Sequence, residues 1–213
     1  MSSESPDSVV DTVVLMYFLM VDEVELLFEL LGEPIAVPRI VFDPDEPEEL
    51  TDDGRSEIAR SIQYHRRVSN DAARDSDTQA NAARSADWLS SVNSLHERGR
   101  VTVLDLTTDE LLLLGQLTSR ESCGNFGLRF PLDSGEAACL ALAVTRNLAL
   151  ATDDGDALTA LESYSAGHRY ERIRRLLTTA GENGLRTRSE ANEIHKEMRR
   201  LGFWDTTEPF PEG

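Results

Sequence analysis

Lysine is almost missing from this chain. Of its 21 basic residues, 20 are arginine and one is Lys196, and against 39 acidic residues they leave a net charge of −18. That balance excludes the overall basic footprint of a protein that coats nucleic acid non-specifically. Cysteine is scarce too. Cys123 and Cys139 have no metal-motif spacing, and Cys139 sits inside an apolar run, where a small core residue is expected. A disulfide framework is excluded, and a reducing, cytoplasmic setting is the expectation. No apolar run approaches the roughly 18 residues of a membrane helix. The first such run, Val9 to Val21, is interrupted by Asp11 and lacks the basic start and small-residue cleavage site of a signal peptide, so no membrane partner is expected. Histidines 65, 96, 168 and 195 are scattered without ligand spacing and suit surface or cap roles. No internal repeat is present, and no Asp-x-Asp pair of the kind that aspartyl-phosphate chemistry uses follows the first strand.

What the chain does have is concentrated between Leu132 and Asp156. Asp133 and Ser134 are helix N-cap types, Glu136 falls in the first turn, and Ala137 to Val144 are all apolar. A surface helix would break that run with polar residues, so this one is expected to be covered on most sides. Asn147 suits a helix stop, and Leu148 to Ala151 reads as a buried strand. It runs into Thr152-Asp153-Asp154-Gly155-Asp156, three carboxylates at the carboxyl end of a strand, where open α/β sheets bind ligands.

The rest of the chain alternates similarly. Strands are expected at Val9–Asp11, Ile35–Val37 and Val101–Leu106. Helices are expected at Thr12–Met20, Asp22–Leu31, about 56–69, about 78–98, Leu111–Leu117 after the cap Thr107 to Glu110, from Asp156 to about Tyr164, and from Ser189 to Arg200. Arg39 to Phe42 begins as a helix, Cys123 to Phe130 reads as a loop, and Tyr170 to Ile173 as an edge strand or part of a helix. Phe203-Trp204 is expected to pack on the body. The alternation predicts α/β architecture with a parallel sheet. Charge is uneven: residues 1–57 carry 16 acidic and 2 basic side chains, a net of −14, whereas 165–200 carry 9 basic and 5 acidic, a net of +4.

In a parallel sheet, Asp11, at the end of one strand, can meet Asp153 and Asp154, at the end of another, and Glu136, which opens the preceding helix. Two carboxylates about 5 Å apart repel by roughly 3 kcal/mol at an effective dielectric near 20. A convergent group therefore protonates, moves apart or takes up a cation. Oxygen donors without Cys or His favour Mg²⁺ or Mn²⁺ over zinc. Each acid also has an ordinary explanation as a strand-end turn, a first-turn acid favoured by the helix dipole, or a helix N-cap. The arginines from 169 to 175 alone fit a solvated face, and Trp88 and Trp204 fit packing positions.

The ordered set VVDTVVLMYFL, VPRIVFDPDE, DSGEAACLALA and LALATDD, with a C-terminal ERIRRLLTTAGENGLRTRSEANEIHKEMRRLGFW, resembles the PIN domain nucleases, and the last segment resembles one bacterial and archaeal branch of them. The resemblance spans residues 9 to 204 and is weakest over 48–98. It implies a single three-layer α/β/α domain with a central parallel sheet of four to five strands, 48–98 being a helical insertion or clamp, and 1–8 and 205–213 flexible tails. It implies Mg²⁺- or Mn²⁺-dependent hydrolysis of RNA. Asp11, Glu136 and Asp154 take the first, third and fourth acid positions, with Asp153 as a further metal ligand. Asp43, or Asp45 beside it, takes the second. Thr152 would orient a water or a phosphate oxygen, and Arg169 and Arg172 would contact substrate phosphates. A homodimer and a small antitoxin-like partner are also implied, the latter suiting the chain's acidity. Val13 stands where the family often has Asn or Ser. With the proline-broken second-acid region, it motivates the alternative of a PIN-fold binding protein acting through a protein partner.

Overall fold

A computed structural model describes residues 5–46 and 54–211. The strands β1 (Ser8–Val10), β2 (Ile35–Pro38), β3 (Val101–Leu104), β4 (Ala149–Ala151) and β5 (Tyr170–Glu171) form one all-parallel sheet in the order β3-β2-β1-β4-β5. Parallel neighbours need long crossovers, and helices supply them. In chain order these are α1 (Thr12–Met20), α2 (Val24–Leu31), α3 (Glu57–Ser69), α4 (Ser76–Ser90), α5 (Val92–Glu97), α6 (Thr108–Leu117), α7 (Ser134–Arg146), α8 (Gly155–Tyr164), α9 (Ile173–Glu182) and α10 (Arg188–Arg200). α6, α7 and α8 pack together as one layer, with α7 on the sheet, and α1, α2, α9 and α10 pack together as the other. The expected three-layer α/β/α arrangement is the one observed, with five strands.

Burial follows from composition. β1 and β2 are covered on both faces and are buried throughout, as central parallel strands are. α7 is the helix predicted to be enclosed: Gly135 and Ala137 to Ala143 are all buried, and Asn147 ends it in a left-handed conformation. Small side chains let α7 lie close to β1, β2 and β4. Leu140, Leu142 and Leu150 join Leu15, Phe18, Leu26 and Phe28 in the core.

Several local expectations change. Arg39 to Val41 form a turn closed by Val41 N–H on Pro38 O (2.9 Å), not the start of a helix. The helix expected over 78–98 is divided at Ser91. The Ser90 and Ser91 hydroxyls bond back to the Ala86 and Trp88 carbonyls, which competes with continued helix. The strand from Val101 ends at Leu104, and the loop from Cys123 contains a 3-10 turn (Cys123–Phe126). Tyr170 to Ile173 is both readings at once, an edge strand that passes straight into α9. His195 is buried against the Phe203 ring rather than at the surface. Phe203 is buried as expected, but Trp204 is 60% exposed.

The stretch expected to be an insertion forms a helical hairpin. α3 and α4 pack chiefly on one another and on α1, and α3 buries a single apolar residue, Ile58. Residues 47–53 of the charged run lie outside the described residues, as do 1–4 of the N-terminal tail. The C-terminal tail is docked rather than free. Asn192 bonds both the carbonyl and the N–H of Phe210, whose ring lies so close to Gly181 that a Cβ there would overlap it.

Candidate functional site

The chain lays β2 and β3 on one side of β1, then returns to lay β4 and β5 on the other. The loops leaving β1 and β4 therefore diverge and open a crevice at their carboxyl ends. Asp11 leaves β1 there, its N–H donating to Ala151 O (3.0 Å), and Thr152, Asp153 and Asp154 leave β4 beside it. Asp11 is only 2% exposed. Its Oδ2 accepts the Thr152 hydroxyl (2.9 Å), and the same hydroxyl oxygen accepts the Asp154 N–H (3.1 Å). Thr152 thus ties the two strand ends together. Asp154 caps α8 by accepting the Ala157 N–H (2.6 Å). Glu136 closes the α7 capping box by accepting the Asp133 N–H (3.3 Å).

A fourth carboxylate arrives from a residue the sequence reading passed over. Glu57, in the first turn of α3, accepts the Gly135 N–H on Oε1 (3.1 Å) and a short hydrogen bond from the Thr12 hydroxyl on Oε2. A Cβ at Gly135 would overlap this carboxylate, so the approach requires glycine. In the sequence Glu57 reads as an ordinary first-turn acid. The only signal was its position, directly after an N-cap serine and three residues before an arginine on the same helix face.

Of these acids Glu57 has Arg60 beside it at 3.8 Å, whereas no cation is paired with Asp11 or Glu136 among the described ion pairs. Burial pushes Glu136 up to about 8, and the charges of Asp154 and Asp11 add to it. Burial likewise pushes Asp11 up to about 7. There the hydrogen bonds from Thr152 and the Thr12 backbone offset part of the rise, and the charges of Glu57 and Asp154 reinforce it. Glu110 is the contrast. It is also buried, but Arg146 (2.7 Å) holds it down to about 2. Cys139 lies beneath the cluster, fully buried, with its thiol toward Val10 O.

Five of the expected site residues are placed elsewhere. Asp43 is paired with Arg39 (2.6 Å), which also holds Asp105, in a turn away from the crevice, and Asp45 flanks the same arginine. Asp153 turns away from Asp154, as successive residues of an extended segment must. It accepts the Ile173 N–H (2.8 Å) and pairs with Arg172 (3.2 Å), so it secures the start of α9. Arg172 is held there and lies over the Trp204 ring. Arg169 precedes β5, beside Asn147, at the amino end of the sheet and thus opposite the acids.

Asp11, Glu57, Glu136 and Asp133 line one end of a cleft of about 680 Å³ that runs between α1 and α3. Among the described residues, no three acidic, imidazole or thiol groups already stand together as a ligand set, so a cation would have to draw these side chains inward. The donor chemistry suits a hard divalent ion, being all oxygen and under-neutralised. Comparison with protein families, curated proteins and solved structures finds no match for the chain. Among the described residues, no helix is long and apolar enough to cross a membrane.

Proposed function

We propose that the chain hydrolyses RNA phosphodiester bonds with the help of Mg²⁺ or Mn²⁺ held by Asp11, Glu57, Glu136 and Asp154. The observation that carries this reading is the approach of carboxylates from four separate elements to the carboxyl ends of β1 and β4, where burial, reinforced by their mutual charge, pushes Asp11 and Glu136 up. The resemblance to PIN domain nucleases supports the same chemistry, with Glu57 in place of Asp43. When bound, a divalent ion supplies Lewis acidity to water and to the phosphate oxygens. The chain's own residues do the rest. Thr152 fixes the rotamer of Asp11, and Gly135 N–H and the Thr12 hydroxyl fix Glu57. Burial and the neighbouring acids push both Asp11 and Glu136 up towards neutral pH, so either is suited to exchange a proton when no cation holds it. The same resemblance supports a homodimer and a small antitoxin-like protein partner in the cytoplasm, and the net charge of −18 favours a basic one.

The test is calorimetric titration of Mg²⁺ and Mn²⁺ into the protein and into Asp11→Asn and Glu57→Gln variants, followed by cleavage assays on RNA. Saturable binding in the wild type, weakened at least tenfold in both variants together with cleavage, is expected. Binding that is absent, or indifferent to both substitutions, would overturn the reading. It would leave a PIN-fold protein acting through a protein partner, an alternative favoured by the dispersed ligand set.

A further inference from the structure

We propose that the α3 wall of this cleft holds an unpaired nucleotide of a single-stranded nucleic acid, with Tyr64 stacking on a base and Arg60 and Arg67 contacting phosphates. The proposal rests on the cleft being the hydrolase site described above, and adds which residues bring an anionic polymer to it. A strand with one negative charge per phosphate must approach a protein of net charge −18 at a crevice lined by carboxylates. That approach needs local cations, and the arginines lining the cleft, Arg60 and Arg67, both come from α3.

Their spacing is what makes them a unit. Glu57, Arg60, Tyr64 and Arg67 follow one another at three- and four-residue intervals, so they share one helix face that starts at the carboxylates and leads away from them. Arg60 lies 3.8 Å from Glu57, which places a phosphate contact beside the acids, and a guanidinium brings five donors to such an anion. Tyr64 is 56% exposed between the two arginines, held edge-on by the His65 ring at 5.4 Å. The opposite wall is apolar, formed by Val13, Met16 and Met20 of α1. An aromatic ring facing an apolar wall, with arginines on either side, is the arrangement that binds an unstacked base and its backbone. A duplex keeps its base faces stacked and has none to offer. The arginines near the start of α9 are poorer candidates. Arg172, Arg174 and Arg175 do not line this cleft, and Arg169 lies at the far end of the sheet.

Fluorescence anisotropy with a labelled oligouridylate, its oligodeoxythymidylate counterpart and an RNA duplex tests this, in EDTA and again in Ca²⁺. Both single strands are expected to bind more tightly than the duplex, and a preference between them identifies RNA or DNA as the source. Tyr64→Ala should weaken single-strand binding roughly tenfold, the scale of one lost stacking contact, and Tyr64→Phe should restore it. Arg60→Gln with Arg67→Gln should weaken it further and flatten its salt dependence. Arg169→Gln removes the same charge outside the cleft and should change nothing. Tyr64→Ala binding as wild type, equal affinity for duplex, or no binding of any probe would overturn the proposal. Because these measurements need no cleavage, cation binding without strand binding defeats this inference alone. Strand binding without cation affinity defeats the hydrolase reading alone.

Discussion

Asp11 and Glu110 show how much the same chemical group depends on its neighbours. Both are buried, yet one is held near 7 and the other near 2, because Arg146 bonds to Glu110 while burial, reinforced by Glu57 and Asp154, raises Asp11. Asp11 and Glu136 bind their protons more tightly in the folded chain than in the unfolded one, where carboxylates titrate near 4. Their contribution to stability is therefore complete below about pH 4, shrinks as pH rises and is lost once pH passes the folded values near 7 and 8. In EDTA the melting temperature should fall between about pH 5 and pH 8, with a shallower slope in Asp11→Asn. Saturating Mg²⁺ should recover the loss at the high end, since it binds the deprotonated form. Thermal melts across that range check it, and identical slopes in wild type and Asp11→Asn would refute it. Three of the four clustered acids were legible in the sequence because each lies where an apolar run meets a carboxylate. Glu57 was not, since its defining neighbour, Gly135, is 78 residues away. Asp43 looked plausible only because the sequence does not reveal that Arg39 folds back onto it. Asp154 was the better fit to the fourth position, but that Asp153 points away to Arg172 and Ile173 instead of joining it depends on side-chain direction.

At the level of elements, the strongly periodic and strongly apolar segments were readable and their joints were not. α1 was predicted with its exact limits, and α7 as an enclosed helix, because hydrophobic runs and caps are local signals. The break at Ser91 and the turn at Arg39 depend on hydrogen bonds that compete with helix. The contact between α3 and the start of α7 is the joint on which the site depends, and it gives a prediction with two opposed signs. Gly135→Ala should raise helix propensity by up to about 1 kcal/mol. The added Cβ meets the flexible end of Glu57, which can swing aside. Thermal stability is thus expected to hold or rise slightly while Mg²⁺ affinity drops. Melting and calorimetry on one preparation check both halves, and an unchanged Mg²⁺ affinity would show that Glu57 is not needed at the site.

For the molecule as a whole, the charge is unevenly answered. The acidic N-terminal third finds some arginines across the fold, as in Arg186 with Glu23 (2.6 Å) and Arg100 with Glu25 and Glu33. A net −18 still remains to repel itself. Surface repulsion of this kind is screened within about 8 Å at physiological ionic strength. The melting temperature should therefore rise as NaCl is increased from low to physiological concentration, at a pH where the acids are ionised. A flat or falling response would mean that attractive pairs outweigh the excess.

The hydrogen bond between Thr152 and Asp11 spans 141 residues, and Glu57 and Glu136 fall between its ends. A chain is made from its amino terminus. On the ribosome, Asp11 and Glu57 emerge long before the helix that carries Glu136 and the strand end that carries Asp154. Until β4 pairs with β1, a growing or truncated polypeptide carries the separate acids and no assembled site, so any activity of this crevice belongs to a chain folded at least through β4.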